Sequence, residues 1–446
     1  MSVRFIMSRN KHLLELQHHE FLPYCSFTLK PLLLSIGLAT ATFSPAINAK
    51  VQNTPQGDDS HQVVPRIIDG DRTTVEQHPW MASLRLSVMN EVPLCGATII
   101  DSHWALTAAH CVVMPGEDPS QESGYFVLKP YQISVTAGIT TLSTAPIDSF
   151  HAVTHVVVHP KYTRLAKVEK KVGSNGSVVT DVKALALDSD IALLRVSRPF
   201  PDHLTRIKLT DSQTAGEIVD TLEQQWAEGQ KQGERPSNLR VTGWGATAID
   251  GSSDSAADEL QTAKVSYLPM ADCYERMEGG DTSPSIVESP FNLSKVCSLP
   301  FKITNQNINS DIPPYGPDVC KGDSGGPLTY EDNSGNITQL GIMSGVSGGS
   351  PLCGSINQPA FYTRIGTYYD WIQSYLGTVP DLAVIEPDFI KNKNKNPNVD
   401  PRCDPNVDTG AISPNNCNFI EHDGGSVNFY LMGLLSLLAF WRRRIE

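Results

Sequence analysis

Residues 67 to about 378 predict an all-β fold, a barrel or a sandwich, on three observations. Short runs rich in β-branched residues recur at 83–86, 152–158, 191–196, 239–242 and 361–365, each bounded by turn-forming residues. No long amphipathic helix interrupts them until 368–376, where Trp371, Ile372, Tyr375 and Leu376 share one helical face. The 446-residue chain is 40% hydrophobic and 19% charged, which suits a packed core rather than a disordered chain.

The segments on either side read as addresses. Lys30, the apolar run 31–41 and the small residues up to Ala49 predict a signal peptide over 1–49, with a long charged leader. The apolar run is too short for a membrane anchor. Residues 50–66 are polar and end in Pro65-Arg66, and Ile67-Ile68-Asp69-Gly70 follows. Beyond 378, residues 379–400 are rich in Asn, Lys, Asp and Pro, as linkers are. Residues 401–423 are too few for a core of their own unless Cys403 pairs with Cys417. Gly424-Gly425-Ser426 then precedes an apolar stretch, 427–441, and three arginines. That stretch barely crosses a hydrocarbon layer, with the arginines on the cytoplasmic side.

Nine cysteines point to an oxidising compartment. Cys25 lies in the segment expected to be removed, leaving eight that can pair fully. The formal net charge of −13 argues against nucleic acid as a partner, because phosphates would be repelled.

The chemistry concentrates in three places. Residues 106–111 read Leu-Thr-Ala-Ala-His-Cys, ending at His110 and Cys111. Residues 190–194 read Asp-Ile-Ala-Leu-Leu. Residues 318–327 read Asp-Val-Cys-Lys-Gly-Asp-Ser-Gly-Gly-Pro, with Ser324 flanked by glycines and an acid. A serine hydroxyl is a weak nucleophile at neutral pH and needs a base within hydrogen-bond reach. Each motif alone is unspecific; together, in the order His, Asp, Ser, they resemble the trypsin/chymotrypsin family of serine proteases.

That resemblance covers about 310 residues and implies two six-stranded antiparallel barrels with a closing helix, the first carrying His110 and Asp190, the second Ser324. It implies His110 as general base, Asp190 as its orienting acid, and the N–H groups of Gly322 and Ser324 as oxyanion hole. A side chain at 322 would obstruct the approach. It implies a zymogen cut after Arg66, the new amine of Ile67 pairing with Asp323. It pairs Cys95 with Cys111, Cys273 with Cys297, and Cys320 with Cys353. Asp318 would floor a pocket for Arg or Lys, with Ser344, Val346 and Ala360 on its walls. Val346 and Ala360 stand where open pockets have glycine and would narrow the slot. Four stretches exceed the family's compact core, about 114–130, 161–188, 221–237 and 299–316, and read as surface loops.

The tail is similar to the Gly-Gly sorting tails of Gram-negative exported proteins. With Gly424 and Gly425 as sorting residues, it implies removal of the apolar helix by an intramembrane rhomboid-type protease, then release or surface attachment, with transient membrane association and partners in the secretion and tail-processing machinery; a plain tail anchor is the alternative. Expected substrates are proteins or peptides, with no metal and no cofactor. A catalytically silent binding protein, or a surface adhesin, on the same scaffold is the rival reading.

Weaker patterns remain. His151, His155 and His159 recur every four residues, but the intervening valines favour a strand, spreading them too far for one metal and placing them on its surface. Lys167-Val168-Glu169-Lys170-Lys171 reads as a solvated charge run. Asn175, Asn292 and Asn336 begin glycosylation-type sequons. The sequence holds no phosphate loop, zinc spacing or repeat.

Overall fold

The computed structural model describes residues 67–87, 92–115, 125–172, 178–279, 284–304, 312–391 and 411–412, with 167–172, 178–184 and 411–412 as backbone alone. The expected signal peptide and propeptide, Arg66, the Cys403–Cys417 pair, Gly424, Gly425 and the apolar stretch 427–441 lie outside the described residues. No helix among the described residues is long and apolar enough to cross a membrane.

Two closed six-stranded antiparallel barrels make the fold. The first holds β1 (Met81–Leu86), β2 (Val92–Ile99), β3 (Trp104–Thr107), β4 (Ile133–Ala137), β5 (Phe150–Val158) and β6 (Ala192–Val196). Its order is β6-β3-β2-β1-β4-β5, and β6 pairs back onto β5. The second holds β7 (Leu239–Gly243), β8 (Gln261–Leu268), β9 (Lys295–Leu299), β10 (Pro327–Glu331), β11 (Ile337–Ser347) and β12 (Ala360–Arg364). Its order is β8-β7-β10-β11-β12-β9, closed by β8 with β9. Closure leaves neither sheet with an unpaired edge. Apolar strand residues pack both barrels: Leu84, Ala97, Leu106, Val135 and Leu193 in the first, Leu239, Val241, Val265, Leu328 and Tyr362 in the second, all fully or almost fully buried.

Several loop expectations fail in instructive ways. The stretch expected as a loop at 221–237 lies largely within a 21-residue helix, α1 (Ser212–Gln232). Asp211 caps its start by accepting from Thr214 N–H at 2.7 Å, and Gly233 ends it at φ 73°. Ala215, Ile218, Leu222 and Trp226 recur at helical spacing and are buried. The stretch 161–188 contains a two-stranded hairpin, Lys167–Val172 with Val178–Ala184, so the expected charge run is a strand. Of the regular histidines, His151 and His155 lie on β5, but the surface expectation fails for His151 and His159. His151 is 1% exposed beside Phe200, and His159 packs between Tyr368 and Trp371. Two further helices follow: α2 (Met270–Glu278), and α3 (Ile365–Tyr375), which begins three residues before the expected closing helix.

The first residues assigned to the linker belong to the fold. Val384–Ile385 pairs in parallel with Val156 and Val157 of β5. The short helix Asp388–Lys391 follows, with Phe389 edge-on to Tyr125 and Tyr162.

Candidate active site

His110 sits in the single helical turn Ala109–Cys111 directly after β3. Asp190 directly precedes Ile191 and β6, the strand paired with β3, so adjacent rungs bring the two residues together. Asp190 grips the histidine twice: His110 N–H donates to Oδ1 at 2.8 Å, and Nδ1 lies 2.8 Å from Oδ2. Asp190 is fully buried. Burial alone would raise its carboxyl, but the His110 contacts and the Ser344 hydroxyl outweigh that and hold it below the ordinary carboxylate range. Geometry of this kind fixes the tautomer, with Nδ1 the protonated nitrogen and Nε2 free to take a proton.

Ser324 comes from the second barrel and is pinned to the first. Its carbonyl accepts from Gly96 N–H at 2.8 Å. Cys95, the neighbour of Gly96 on β2, is bonded to Cys111, the neighbour of His110, with S–S 2.01 Å. The serine loop and the imidazole are therefore tied to one rung of β2. Two glycines make the loop possible. Gly325 has φ 78°, and a Cβ there would lie 2.2 Å from Thr107 Oγ1 and 2.4 Å from the Gly96 carbonyl. Gly322 has φ 94°, and a Cβ there would press on Gly245 Cα at 3.0 Å. Backbone conformation and the nearness of Gly245 thus favour glycine at 322.

Asp323 turns inward, 2% exposed, accepting from Cys320 N–H and Gly245 N–H, each at 2.9 Å. Burial pushes its carboxyl up to about 7, against those two hydrogen bonds. Ile67 is also fully buried, in a cluster that includes Val319, Val346 and Ala360. Asp318 is 2% exposed, and its N–H donates to the Ile68 carbonyl at 3.2 Å. Burial pushes its carboxyl up to about 8, and the Asp323 charge adds to the rise. Val346 and Ala360 are register partners across β11 and β12, 4% and 0% exposed. Ser344 reaches the His110–Asp190 pair itself: its hydroxyl donates to Asp190 Oδ2 at 2.5 Å. Sequence reasoning placed it only on the pocket wall, because a contact spanning 154 residues leaves no local signal. Arg164 was also missed; it donates to the carbonyls of Val113 at 2.7 Å and His110 at 3.4 Å.

Two further disulfides, Cys273–Cys297 and Cys320–Cys353, brace the second barrel. His110 lies close to the sulfurs of Cys95 and Cys111, a grouping that would suit a metal, but both sulfurs are committed to their disulfide.

The Trypsin family model matches residues 67–372. The chain is 27% identical over 315 residues to transmembrane protease serine 11C of Mus musculus, covering 70% of this chain and 54% of that protein. Urokinase-type plasminogen activator of Gallus gallus is 27% identical over 320 residues, 70% of this chain and 58% of that protein. Transmembrane protease serine 11G of Mus musculus is 27% identical over 316 residues, 70% and 55%. The chain spans just over half the length of these relatives. The matched span takes in both barrels and all three places where the chemistry concentrates, and by that match the chain belongs to the trypsin family.

Proposed function

We propose that the protein is a secreted serine endopeptidase that hydrolyses peptide bonds after Arg or Lys. The observation that carries this reading is the double grip of buried Asp190 on His110, beside a serine loop pinned to the same strand. Ser324 Oγ attacks the scissile carbonyl while its proton passes to His110 Nε2. The N–H groups of Gly322 and Ser324 hold the tetrahedral oxyanion, a contribution of about 3 kcal/mol. His110 then returns the proton to the leaving amine as the C–N bond breaks. Water repeats the cycle on the acyl-enzyme and releases the new carboxylate.

The buried carboxyl of Asp318 supports basic specificity, since an incoming guanidinium or ammonium would pair with it and restore its ionisation. Activation by cleavage after Arg66 is supported by the burial of Ile67 and by Asp323, a carboxyl that a nearby amine would stabilise as the anion. In this reading residues 1–49 are a signal peptide, 50–66 a propeptide, 67–378 the protease domain with the segment up to Lys391 packed onto it, the rest up to 423 a linker and small tail, and 424–446 a sorting segment. The setting is the exterior of a Gram-negative bacterium.

The test takes full-length protein activated by a cut after Arg66. A peptidyl organophosphonate is expected to label Ser324, and Arg or Lys amides to be cleaved far faster than Ala or Phe amides. An activated sample that never labels overturns the enzyme, and equal hydrolysis of all four amides overturns the specificity.

A further inference from the structure

Asp190 hangs on a strained loop. Leu187 and Ser189, just before it, have φ 49° and 50°, a left-handed conformation that is strained for a non-glycine residue. The second barrel holds that loop from below at several points. Thr363 of β12 donates to the Asp190 carbonyl at 2.9 Å, and Tyr368 of α3 meets the Ser189 hydroxyl at 3.2 Å. Beside Thr363 stands Lys295, its register partner and the first residue of β9. It is 2% exposed, its ammonium donates to the Leu187 carbonyl at 2.8 Å, and its Nζ stands 5.5 Å from the Phe361 ring centroid.

An ammonium in that place carries a desolvation cost that an apolar side chain filling the same space would not. Packing alone does not call for a lysine. The charged groups facing it belong to other elements: Asp188 and Asp190 on the loop and Glu278 on α2. Glu278 is already engaged by the N–H groups of Ser285, Ile286 and Val287, and Asp190 by His110 and Ser344. Tyr368 on α3 feels Asp188 and Asp190, and Tyr162, beside Arg164, feels Asp190. Burial presses the Lys295 ammonium down from its ordinary range, and the three acids oppose that.

We propose that Lys295 is a positioning residue for the His110–Asp190 pair, fixing the Leu187 carbonyl, holding the left-handed loop closed and placing a positive charge beneath Asp190. The inference rests on the serine-protease reading. A cation there repels the positive charge that the imidazole takes on with the serine proton.

The experiment measures acylation of the activated full-length protein by p-nitrophenyl acetate, a small ester that needs no specificity pocket, from about pH 5 to pH 9. Absence of a burst from the unaltered protein would defeat the serine-protease reading itself, separately from this one. With a burst present, Lys295→Met is expected to acylate about ten-fold more slowly. Its acidic limb is expected to shift upward by roughly half a pH unit. Lys295→Gln, which keeps an N–H donor but no charge, is expected to recover part of the rate and show the same shift. A slowed rate with an unmoved midpoint would assign Lys295 to packing alone and overturn the proposal. Unchanged kinetics overturn it as well, and so does failure of both variants to fold, which would give the lysine to barrel integrity instead.

Discussion

Val346 and Ala360 face each other across β11 and β12, and both pack in the cluster that holds Ile67 and Val319, beside the backbone of Asp318. Each adds alkyl bulk where a glycine would leave room. Val346→Gly and Ala360→Gly are therefore expected to widen the slot, raising kcat/KM for Arg amides by about ten-fold, mainly through KM. Steady-state kinetics on the activated variants checks this; a loss of Arg hydrolysis in both would mean that neither residue lines the slot. At this scale the sequence was readable where a residue's chemistry is announced by its neighbours. His110 is flanked by Cys111, and Ser324 by Asp323 and two glycines. It was unreadable where a partner lies far away, as with Ser344 on Asp190, Lys295 on Leu187 and Arg164 on His110. A hydrogen bond leaves no trace in local composition when its ends come from different strands.

Among the elements, the strands were legible because β-branched runs between turn residues are local signals. Helix α1 was overlooked although its marks are in the chain: Asp211 before it, Gly233 after it, and Ala215, Ile218, Leu222 and Trp226 between. Its exposed face is rich in Gln and Glu, and that polarity reads as a loop when the surrounding pattern is β. The strap at 384–391 was read as linker for a similar reason, since its few apolar residues become significant only against β5 and the Tyr125–Tyr162 surface. The strap also backs the segment carrying Arg164, which holds the His110 carbonyl; Asp388 N–H donates to the Pro160 carbonyl at 2.9 Å. A chain ending at Thr378 is expected to lose about 2–4 kcal/mol of stability, from lost strand pairing and the stripped Phe389 contacts. Urea unfolding beside the full chain measures it, and an unchanged midpoint would show the strap to be an idle appendage.

For the whole molecule, the buried titratable groups set a pH optimum of stability. His78, His151 and His159 are held neutral by burial, each down to about 4. Between about pH 6.5 and pH 4 the unfolded chain takes up their protons and the fold does not, so stability falls on acidification. Asp190, held below its ordinary range, adds stability that is lost as pH falls further. Asp318 and Asp323 act in the opposite sense. Raised to about 8 and about 7, they keep protons that the unfolded chain releases from near pH 4, so their contribution falls as pH rises to those values. The histidines outweigh the two carboxyls on the acid side, and the carboxyls lower stability between about pH 6.5 and pH 8. The uncleaved chain is expected to be most stable near pH 6.5, measured by urea midpoints from about pH 5 to pH 8.5. Cleavage after Arg66 should flatten the alkaline flank, because a paired Asp323 no longer holds its proton; an unchanged flank would count against the Ile67–Asp323 pairing.

The sequence by itself determined the β class, the order of the His, Asp and Ser motifs and the cysteines available for bridging, since each is written in residues adjacent along the chain. Only the tertiary structure decided which distant groups support them: Ser344, Thr363 and Lys295 beneath the Asp190 loop, Gly96 behind Ser324, and the strap over β5. Those contacts exist because two barrels close and meet, and closure sets neighbours by strand register rather than by separation along the chain.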